Sequence, residues 1–592
     1  MTIMPRQQIF SEGVFAVPAV WRVQIPNDLI DLKDVILDQF MSVETIKDEA
    51  NLVFVKDDCL ASEAYRIVVS LSKITITYGD YRGAVWALST VIALSRNGVI
   101  RQQTIVDHPD FPFRGYLLDI SRDKLPSLST LKELIDKLML VKINHLQLYV
   151  EGFVLKLPSF PDLPYDDPLT LPEFLDLQEY AKKRGIDLAP NINTFGHMTK
   201  WLALERYRDL AESPEGFFLE GYPFPPSTLN PLDERSQTLA KAICMDLLSV
   251  SKSPFFNLNG DEPFELGTGK SKTACQNESR GKIYLRHMRP LIEAVKQKAR
   301  PMIFGDVIRN EPEAITGLPD GTVVIDWGYD RDYDFSLLSQ KLQGKHDFIL
   351  APGTSSWNSF IGRFKDMKSS IDNARTNALN YGAIGMLLTD WGDFSHPQPL
   401  VVSYPAIAYF ANTAWSGATN MSTALFEADS LLFDEQEDFA DIVTQMAGYG
   451  DIEPMYLHNR TIAFASWMYV DKDKDHPLGF KHAIWSEALR RLSIGEDRAQ
   501  RILDLSERSL ARLTGASLEA REIRQAIRLV KAGVLLNRIV AGESRHVNEA
   551  KAILENVDKE YARLWLSRNR SCGLESSQYT VELLRSFLDN YY

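Results

Sequence analysis

The sequence of 592 residues predicts an α/β protein built on a (β/α)8 TIM barrel, with a small α/β domain before the barrel and an all-α domain after it. Between residues 107 and 422, short apolar or β-branched runs alternate with amphipathic stretches of helical period. Parallel strands need crossover connections of this kind, and eight strands joined in this way close a barrel. The predicted barrel strands begin near Arg114, His145, Asp187, Phe255, Met302, Thr322, Phe348 and Gly385.

The segments on either side of the barrel have different patterns. Residues 1–106 combine alternating strands, such as Ile74 to Tyr78, with a helical pattern over Gly83 to Ser95, which is typical of a small α/β domain. In residues 423–592, apolar side chains recur at three- and four-residue steps and predict helices. These helices are expected at Trp485 to Arg491, Arg498 to Ala511, Ser517 to Val540 and Arg545 to Leu566. The helical domain either packs on the barrel or mediates a homodimer, and the sequence does not choose between them.

Composition and charge exclude several classes of function. Hydrophobic residues make up 45% and charged residues 24% of the chain, which is ordinary for a folded globular protein. The formal net charge of -14 and the pI near 5.4 argue against a protein that binds nucleic acid or an anionic membrane, because such proteins need clustered Lys and Arg. We therefore expect a ligand that is neutral or recognised locally.

The cysteines and the apolar runs restrict the class further. The 4 cysteines lie far apart and form no CxxC pair, so neither a zinc ribbon nor a disulfide framework is predicted, and we expect no metal and no cofactor. The first residues contain no apolar run of signal-peptide length, and no apolar span long enough for a membrane helix follows. Cytoplasmic residence without membrane association is the resulting expectation.

Two adjacent acids, Asp261 and Glu262, follow the fourth predicted strand in the stretch FFNLNGDEPFELG. Asp-Glu pairs also occur at residues 48–49, 233–234 and 434–435, so the dipeptide alone indicates little. Consecutive strand residues point to opposite faces, so these two acids can share one pocket only if the strand has already ended or bent. Gly260 before them and Pro263 after them favour such a break.

Other predicted strands also end in polar or aromatic side chains. Active sites of such barrels lie at the carboxyl ends of the strands, so these side chains are candidates for one pocket. Three Trp residues from different strands would form an apolar box for a sugar ring. The candidates are Arg114 opening strand one, Glu151 after strand two, His197 after three, Asp306 after five, Trp327 and Tyr329 after six, Trp357 and Asn358 after seven, and Trp391 and Asp393 after eight.

Four motifs in this order resemble family 20 glycoside hydrolases, the β-N-acetylhexosaminidases. The leading α/β segment resembles the small domain that precedes the barrel in that family, and the helical tail loosely resembles that of some bacterial cytoplasmic members. The resemblance covers about residues 1–420. Its motifs are FRGYLLDISRD at Phe113 to Asp123, NTFGH at Asn193 to His197, NGDE at Asn259 to Glu262 and WGD at Trp391 to Asp393.

The resemblance implies an exo-acting, retaining hydrolase of β-linked N-acetylhexosaminides in which the substrate's own acetamido oxygen is the nucleophile. Glu262 would be the general acid and then the general base. Asp261 would accept the acetamido N–H and offset the positive charge of the intermediate. Arg114 would donate to the hydroxyls at C3 and C4, and Asp393 would accept from those at C4 or C6.

The sequence departs from the family pattern at three places. Asn193 stands where the family commonly has an Asp that partners the histidine, so His197 is expected only to hydrogen-bond. Arg122-Asp123 replaces the usual Arg-His pair, and GTSSWN has no counterpart of the Tyr that often contacts the acetamido oxygen. We expect Tyr329 to take the role of that Tyr.

Three other functions stay open on the sequence. One is an ordinary retaining glycosidase with Glu262 as acid and Glu151 as nucleophile. A second is a sugar-binding barrel without catalysis, although binding has no need of an acid beside an anion. A third is a metal-dependent hydrolase, which the absence of HxH and HExxH spacings disfavours. The preference between N-acetylglucosamine and N-acetylgalactosamine is not readable from the sequence.

Overall fold

The computed structural model describes residues 5–40, 42–46, 49–219, 222–394, 396–418, 420–433, 438–467 and 492–590. Its first part is a seven-stranded sheet in the order β1-β7-β5-β6-β4-β2-β3, antiparallel from β1 to β6 and parallel from β6 to β3. The strands are β1 Gln7–Ala16, β2 Trp21–Gln24, β3 Val43–Thr45, β4 Leu52–Lys56, β5 Tyr65–Val69, β6 Ile74–Tyr78 and β7 Val99–Asp107.

Two helices accompany this sheet, α1 Leu32–Gln39 and α2 Tyr81–Ser95. The side chain of Asp80 caps α2 by accepting a hydrogen bond from the N–H of Gly83 at 2.8 Å. Helix α2 is buried along most of its length because it lies between the sheet and the barrel, which explains why its sequence is apolar on nearly every side.

Eight parallel strands close the barrel at the centre of the molecule, and the predicted fold class is confirmed. Each strand begins within two residues of its predicted position. Around the barrel they run in the order β10-β13-β14-β15-β16-β17-β8-β9, with a separate hairpin, β11 and β12, inserted after β10. The ranges are β8 Phe113–Asp119, β9 His145–Val150, β10 Asp187–Ile192, β11 Phe217–Leu219, β12 Tyr222–Phe224, β13 Phe255–Asn257, β14 Arg300–Phe304, β15 Val323–Trp327, β16 Phe348–Ala351 and β17 Gly385–Asp390.

Helices cover the outside of the barrel and bury the outer face of its strands, so these strands are buried on both faces. Capping fixes where several of them begin: Ser127 caps α3, and Thr170 and Glu173 form a capping box on α4. The helices are α3 Leu128–Leu140, α4 Leu171–Lys183, α5 Thr199–Leu202, α6 Glu205–Arg208, α7 Glu234–Leu248, α8 Lys272–Asn277, α9 Arg280–Lys296, α10 Asp306–Asn310, α11 Pro312–Gly317, α12 Ser336–Leu342, α13 Phe364–Tyr381 and α14 Tyr404–Ser416.

The described residues after the barrel are helical, as predicted. Three of the four expected helices correspond to α18, α19 and α20, while the helix expected at residues 485–491 lies outside the described residues. Within the described ranges, none of the helices has the length and apolar character needed to cross a membrane. The helices are α15 Met421–Glu427, α16 Phe439–Met446, α17 Ile462–Trp467, α18 Glu496–Arg512, α19 Leu518–Val540, α20 Val547–Arg568 and α21 Leu574–Asp589.

Candidate active site

The chain leaves the barrel wall before it reaches the two adjacent acids. Strand β13 ends at Asn257, and then Asn259, Gly260 and Glu262 have φ angles of 57°, 81° and 45°. The positive φ angle at Gly260 favours glycine, and so does the space around it, since a Cβ atom would lie 2.7 Å from the hydroxyl of Tyr284. The left-handed turns end the alternation of the strand, so Asp261 and Glu262 reach the same side chain.

That shared side chain is the imidazole of His197, which follows β10. Its Nε2 atom lies 3.2 Å from Oε2 of Glu262 and 3.4 Å from Oδ2 of Asp261. Gly196 permits this approach, because a Cβ atom there would lie 2.0 Å from the backbone oxygen of Asp261. The other carboxylate oxygen of Asp261, Oδ1, is buried and has no hydrogen-bond partner among the described residues. Asp261 therefore presents a free acceptor beside Glu262.

Glu151, which follows β9, lies on the far side of His197. Its Oε2 atom is 3.7 Å from His197 Nδ1, so His197 has a carboxylate on both ring nitrogens. Asn193, where the family resemblance leads one to expect an Asp, instead donates to the hydroxyl of Tyr149 at 3.1 Å and accepts from Asn259 at 3.0 Å. The expectation that His197 lacks a charged partner is wrong, because Glu151 supplies one from a different strand.

The charge on His197 follows from these neighbours. Burial lowers the pKa of His197, but the carboxylates of Asp261, Glu262 and Glu151 outweigh burial and raise the pKa well above its ordinary value. An imidazolium at neutral pH can stabilise an anionic carboxylate on either side and donate a hydrogen bond to each.

Arg122 is the arginine at the carboxyl end of the first barrel strand. It pairs with Asp119 at 2.9 Å and with Glu151 at 3.0 Å, and its guanidinium carbon lies 4.8 Å from the ring centroid of Tyr149 and 5.5 Å from that of Trp391. It belongs to the motif FRGYLLDISRD, whose other arginine, Arg114, is the one predicted to contact the sugar.

Arg114 lies at the opposite end of the barrel, and its predicted contact with the sugar is corrected. The side chain is 1% exposed, pairs with Glu63 of the amino-terminal domain and donates to the carbonyl oxygens of Lys142 and Phe111 at 3.0 and 2.7 Å. A residue that opens a barrel strand belongs to the amino-terminal face, whereas the pocket is built at the carboxyl ends. Arg114 joins two domains.

The aromatic residues of the last three strands divide into two groups. Trp327 and Tyr329 are half-buried and stacked, with ring centroids 5.3 Å apart at 17°, and Trp391 donates its indole N–H to the hydroxyl of Tyr329 at 2.9 Å. Trp357 is 0% exposed, donates to Oδ1 of Asn459 at 2.8 Å and packs edge-on against Tyr329 at 5.1 Å. The prediction that Trp357 lines the pocket is therefore wrong. Its ring is buried and packs against Tyr329.

Asp393 and Asn358 form a polar pair beside these rings. The amide of Asn358 donates to Oδ2 of Asp393 at 3.0 Å, and Oδ1 of Asn358 is buried without a hydrogen-bond partner among the described residues. Burial raises the pKa of Asp393, although the nearby Arg122 opposes this shift. The pair offers both a carboxylate and an amide to hydroxyl groups.

Asp306 lies beneath the two acids at the start of α10. Its Oδ2 atom accepts a hydrogen bond from the backbone N–H of Glu262 at 2.9 Å, which holds the strained turn in place. Burial, and then the charge of Asp261, raise the pKa of Asp306 to about 7. The sequence placed this residue after strand five, but nothing in the sequence indicated which backbone group it would hold.

The comparisons with known proteins agree with this architecture. Residues 111–357 match the model of the glycosyl hydrolase family 20 catalytic domain, and residues 4–108 match the model of domain 2 of the same family. Among solved structures, the chain is similar to the Flavobacterium johnsoniae chitobiase, with a TM-score of 0.61 and 15% identity over 99% of each chain. It is also similar to the β-N-acetylhexosaminidase of Bacteroides fragilis NCTC 9343, with a TM-score of 0.58 and 17% identity over 73% of this chain and 95% of that chain.

Curated relatives match over shorter stretches. The chain is 25% identical over 313 residues to beta-hexosaminidase A of Caenorhabditis elegans, which covers 46% of this chain and 54% of the relative. It is 30% identical over 172 residues to beta-hexosaminidase 3 of Arabidopsis thaliana, which covers 27% and 29% of the two chains. The matched part of the chain thus spans about half the length of the first of these relatives and less than a third of the second. Because two models of a single family together match more than half of it, the chain belongs to glycosyl hydrolase family 20.

Proposed function

We propose that this chain is an exo-acting, retaining β-N-acetylhexosaminidase that releases terminal N-acetylglucosamine or N-acetylgalactosamine from oligosaccharides or glycoconjugates. The observation that carries the proposal is the free, buried acceptor of Asp261 next to Glu262, with both carboxyl groups on one imidazole. Membership of family 20 adds support, as do the beta-hexosaminidases among the relatives and a Vibrio harveyi structure that holds N-acetylglucosamine.

The proposed reaction has two steps, and the nucleophile is the acetamido oxygen of the substrate. In the first step this oxygen attacks the anomeric carbon, the bond to the glycosidic oxygen breaks, and Glu262 gives its proton to the leaving oxygen. An oxazolinium ion results. In the second step Glu262 takes a proton from water, the water oxygen attacks the anomeric carbon and the ring of the intermediate opens. Two inversions at one carbon retain its configuration.

Asp261 and His197 supply the electrostatics of both steps. Oδ1 of Asp261 accepts the acetamido N–H, which orients the carbonyl oxygen, and its negative charge offsets the positive charge of the oxazolinium ion. The imidazolium of His197 lies 3.4 Å from the Asp261 carboxylate, and at 3.2 Å from Glu262 it offsets the negative charge left there when the proton is given away. Glu151 holds His197 in its protonated form from the other ring nitrogen.

The remaining groups hold the sugar ring. Arg122 has five N–H donors, and those not used by Asp119 and Glu151 are available to ring hydroxyls. Trp327, Tyr329 and Trp391 form an apolar wall for the ring and the acetamido methyl. Asp393 and Asn358 accept hydrogen bonds from the hydroxyls at C4 or C6. A homodimer and a cytoplasmic location stay predictions of the sequence.

The surroundings of Glu151 disfavour the ordinary two-carboxylate mechanism. Its carboxylate is engaged by Arg122 at 3.0 Å and faces His197 at 3.7 Å, so it is placed as a partner of these cations and not as a nucleophile. A binding module without catalysis is disfavoured by the backbone, because left-handed φ angles at His197 and Glu262 store strain in the segments that carry the polar groups.

Glu262→Gln is the variant that tests this proposal, since it keeps the shape of the side chain and removes the proton. We expect kcat/KM for phenyl β-N-acetylglucosaminide to fall by about 10³-fold or more, because phenol is a poor leaving group that needs protonation. The dinitrophenyl glycoside should lose far less, because its leaving group departs without a proton. Glu234→Gln, at the exposed acid that opens α7 and also follows an Asp, is the matched control and should leave both rates within about twofold.

Two outcomes would contradict the proposal. Near-normal cleavage of the phenyl glycoside by the Glu262→Gln variant would remove Glu262 from the acid role. Cleavage of phenyl β-glucoside at the rate of the N-acetylglucosaminide, without inhibition by a thiazoline mimic of the intermediate, would show that the acetamido group does not participate.

A further inference from the structure

An aromatic surface lies beside the candidate acid, outside the pocket described above. Phe217 and Phe224 face each other across the hairpin of β11 and β12, with ring centroids 5.3 Å apart at 26°. Phe217 also stacks on Phe264, with centroids 6.1 Å apart at 22°. Phe264 ends this row of rings and is 40% exposed. We call Phe264, Phe217 and Phe224 the phenylalanine platform.

Buried carboxylates fasten the hairpin to the segment that carries Glu262. Glu265 is 0% exposed and accepts from the N–H and hydroxyl of Ser227 at 2.9 and 2.8 Å, and from the hydroxyl of Thr228. At the other end of the hairpin, Glu212 accepts from the N–H and hydroxyl of Ser271 at 2.7 and 2.6 Å. Both ends of the insertion are therefore held against residues 265–271, and the platform has a fixed position relative to the acid.

The distance along the chain between the platform and the acid is short. Phe264 follows Glu262 by two residues, and its N–H donates to the carbonyl oxygen of Glu262 at 2.7 Å. Two peptide units span at most about 7.6 Å between Cα atoms. Since a general acid must reach the glycosidic oxygen within hydrogen-bond distance, the group on the other side of that oxygen lies close to Phe264.

The layout of the barrel separates this surface from the wall of the sugar pocket. Trp391 and Asp393 follow β17, which is four strands away from β13 in the closed barrel and so lies across it. A sugar held against Trp391 therefore directs its glycosidic oxygen toward the side of Glu262 and Phe264.

We propose that the phenylalanine platform is the binding site for the leaving group and takes the apolar face of a pyranose ring, the sugar to which the terminal N-acetylhexosamine is β-linked. This inference rests on the proposed function. The exposed part of Phe264 is two fifths of a Phe side chain, roughly 80 Å², and this matches one face of one sugar ring. An extended alkyl chain would need a longer continuous apolar track.

Phe218 provides a matched control, because alternation along β11 points it away from Phe217. It pairs across the hairpin with Pro223 and is 75% exposed, so it is the same residue type on the opposite face of the same element. The test compares Phe264→Ala, Phe217→Ala and Phe218→Ala in the full chain. Phe264→Leu is a further variant that keeps apolar volume but removes the flat face.

The substrates are N,N′-diacetylchitobiose, whose leaving group is a pyranose, and N-acetyl-β-glucosaminyl fluoride, which has no leaving-group residue. We expect Phe264→Ala to lower the ratio of kcat/KM for the disaccharide to kcat/KM for the fluoride by about 20-fold, the value of a ring-sized apolar contact. Phe264→Leu should lower the ratio by a smaller factor and Phe217→Ala by an intermediate one. Phe218→Ala should leave the ratio within about twofold.

Each other outcome overturns a different statement. If the wild-type chain cleaves both substrates and the ratio is unchanged in both Phe264 variants, the platform does not bind the leaving group although the proposed function stands. If octyl β-N-acetylglucosaminide loses more than the disaccharide in Phe264→Ala, the platform takes an alkyl chain and the proposal of a pyranose is wrong. If the wild-type chain cleaves no N-acetylhexosaminide, the proposed function itself fails, and this inference fails with it.

Discussion

At the scale of single residues, the two arginines of one motif show how strand direction decides a role. Arg114 lies at the start of β8 and Arg122 follows its end, so the five strand steps from Arg114 to Asp119 alone separate the two ends by roughly 17 Å. They therefore cannot both reach one sugar. Arg114 contacts Glu63 at the amino-terminal face, and Arg122 contacts Glu151 at the carboxyl-terminal face.

The two arginines are expected to respond in opposite ways to substitution. Arg122→Ala should lower kcat/KM for an N-acetylglucosaminide by about 10²- to 10³-fold, because it removes donors to the ring and takes the guanidinium away from Asp119 and Glu151. Arg114→Met should leave the KM of the folded enzyme within about twofold. Its thermal midpoint should fall, since the buried carboxylate of Glu63 loses the guanidinium that donates to it. Steady-state kinetics and thermal denaturation of both variants decide the matter.

A raised KM in Arg114→Met with an unchanged thermal midpoint would return Arg114 to the sugar site.

Some residues of the candidate site could be predicted from the sequence and others could not. Asp261, Glu262 and His197 lie together as their motifs predict, because all three follow strand ends. Trp357 also follows a strand end, yet its ring turns inward to Asn459, and no motif records the direction of a side chain.

At the scale of elements, the eight barrel strands were predictable and the hairpin of β11 and β12 was not. Barrel strands are buried on both faces, so they appear in the sequence as continuous apolar runs between helical stretches. The hairpin strands have three residues each, too few for an alternating pattern to be recognised. The contact between the segments after β10 and β13 was equally hidden, because it joins Gly196 to a backbone oxygen.

Gly196→Ala is expected to impair catalysis while the chain still folds. Its Cβ atom would lie 2.0 Å from the backbone oxygen of Asp261, so the segments that carry His197 and Glu262 must move apart. Displacement of catalytic groups by about 1 Å costs on the order of 10²-fold in rate, and we expect a loss of kcat/KM of that size. Gly448→Ala is the control, because no atom lies within 4 Å of a Cβ built there. Equal activity of the two variants would show that the contact does not set the spacing of the acids.

At the scale of the whole molecule, both flanking parts are fastened to the barrel by buried polar groups. The amino-terminal domain is held at one end through Glu63, which accepts from Arg114, from the indole of Trp86 at 2.8 Å and from Asn144 at 2.9 Å. At the other end the segment after α20 meets the loop that follows Arg122, where the N–H of Arg570 donates to the oxygen of Leu125 at 2.8 Å.

The helical region therefore supports a loop of the candidate site. A Cβ atom at Gly573 would lie 1.7 Å from the backbone oxygen of Asp123, which shows how closely the two segments approach directly after Arg122. The helices were predictable from the spacing of their apolar residues. Whether they pack on the barrel or form a dimer was not, because this depends on contacts between residues far apart in the sequence. The structure shows that helices pack on the barrel, and the homodimer stays a prediction.

Arg568 is expected to contribute much of the strength of this attachment. It is 6% exposed and joins α20 to Glu519 and Glu522 of α19 at 2.5 and 3.2 Å, and to Glu133 of barrel helix α3 at 3.0 Å. Arg568→Leu leaves Glu522 buried without its cation, and removal of one partner of a buried pair costs about 3–5 kcal/mol. Arg235→Leu, which removes an exposed arginine together with its two ion pairs, to Asp209 and Asp233, should destabilise the chain far less.

Urea unfolding followed by tryptophan fluorescence, together with kcat/KM on an N-acetylglucosaminide, measures both consequences of Arg568→Leu. We expect an earlier unfolding transition and a lower kcat/KM, because the loop after Arg122 loses its support. Adding Glu522→Leu to Arg568→Leu should recover much of the stability, since the second change removes the unpaired charge. If Arg568→Leu unfolds at the same urea concentration as Arg235→Leu, the buried cluster does not hold the helical region to the barrel.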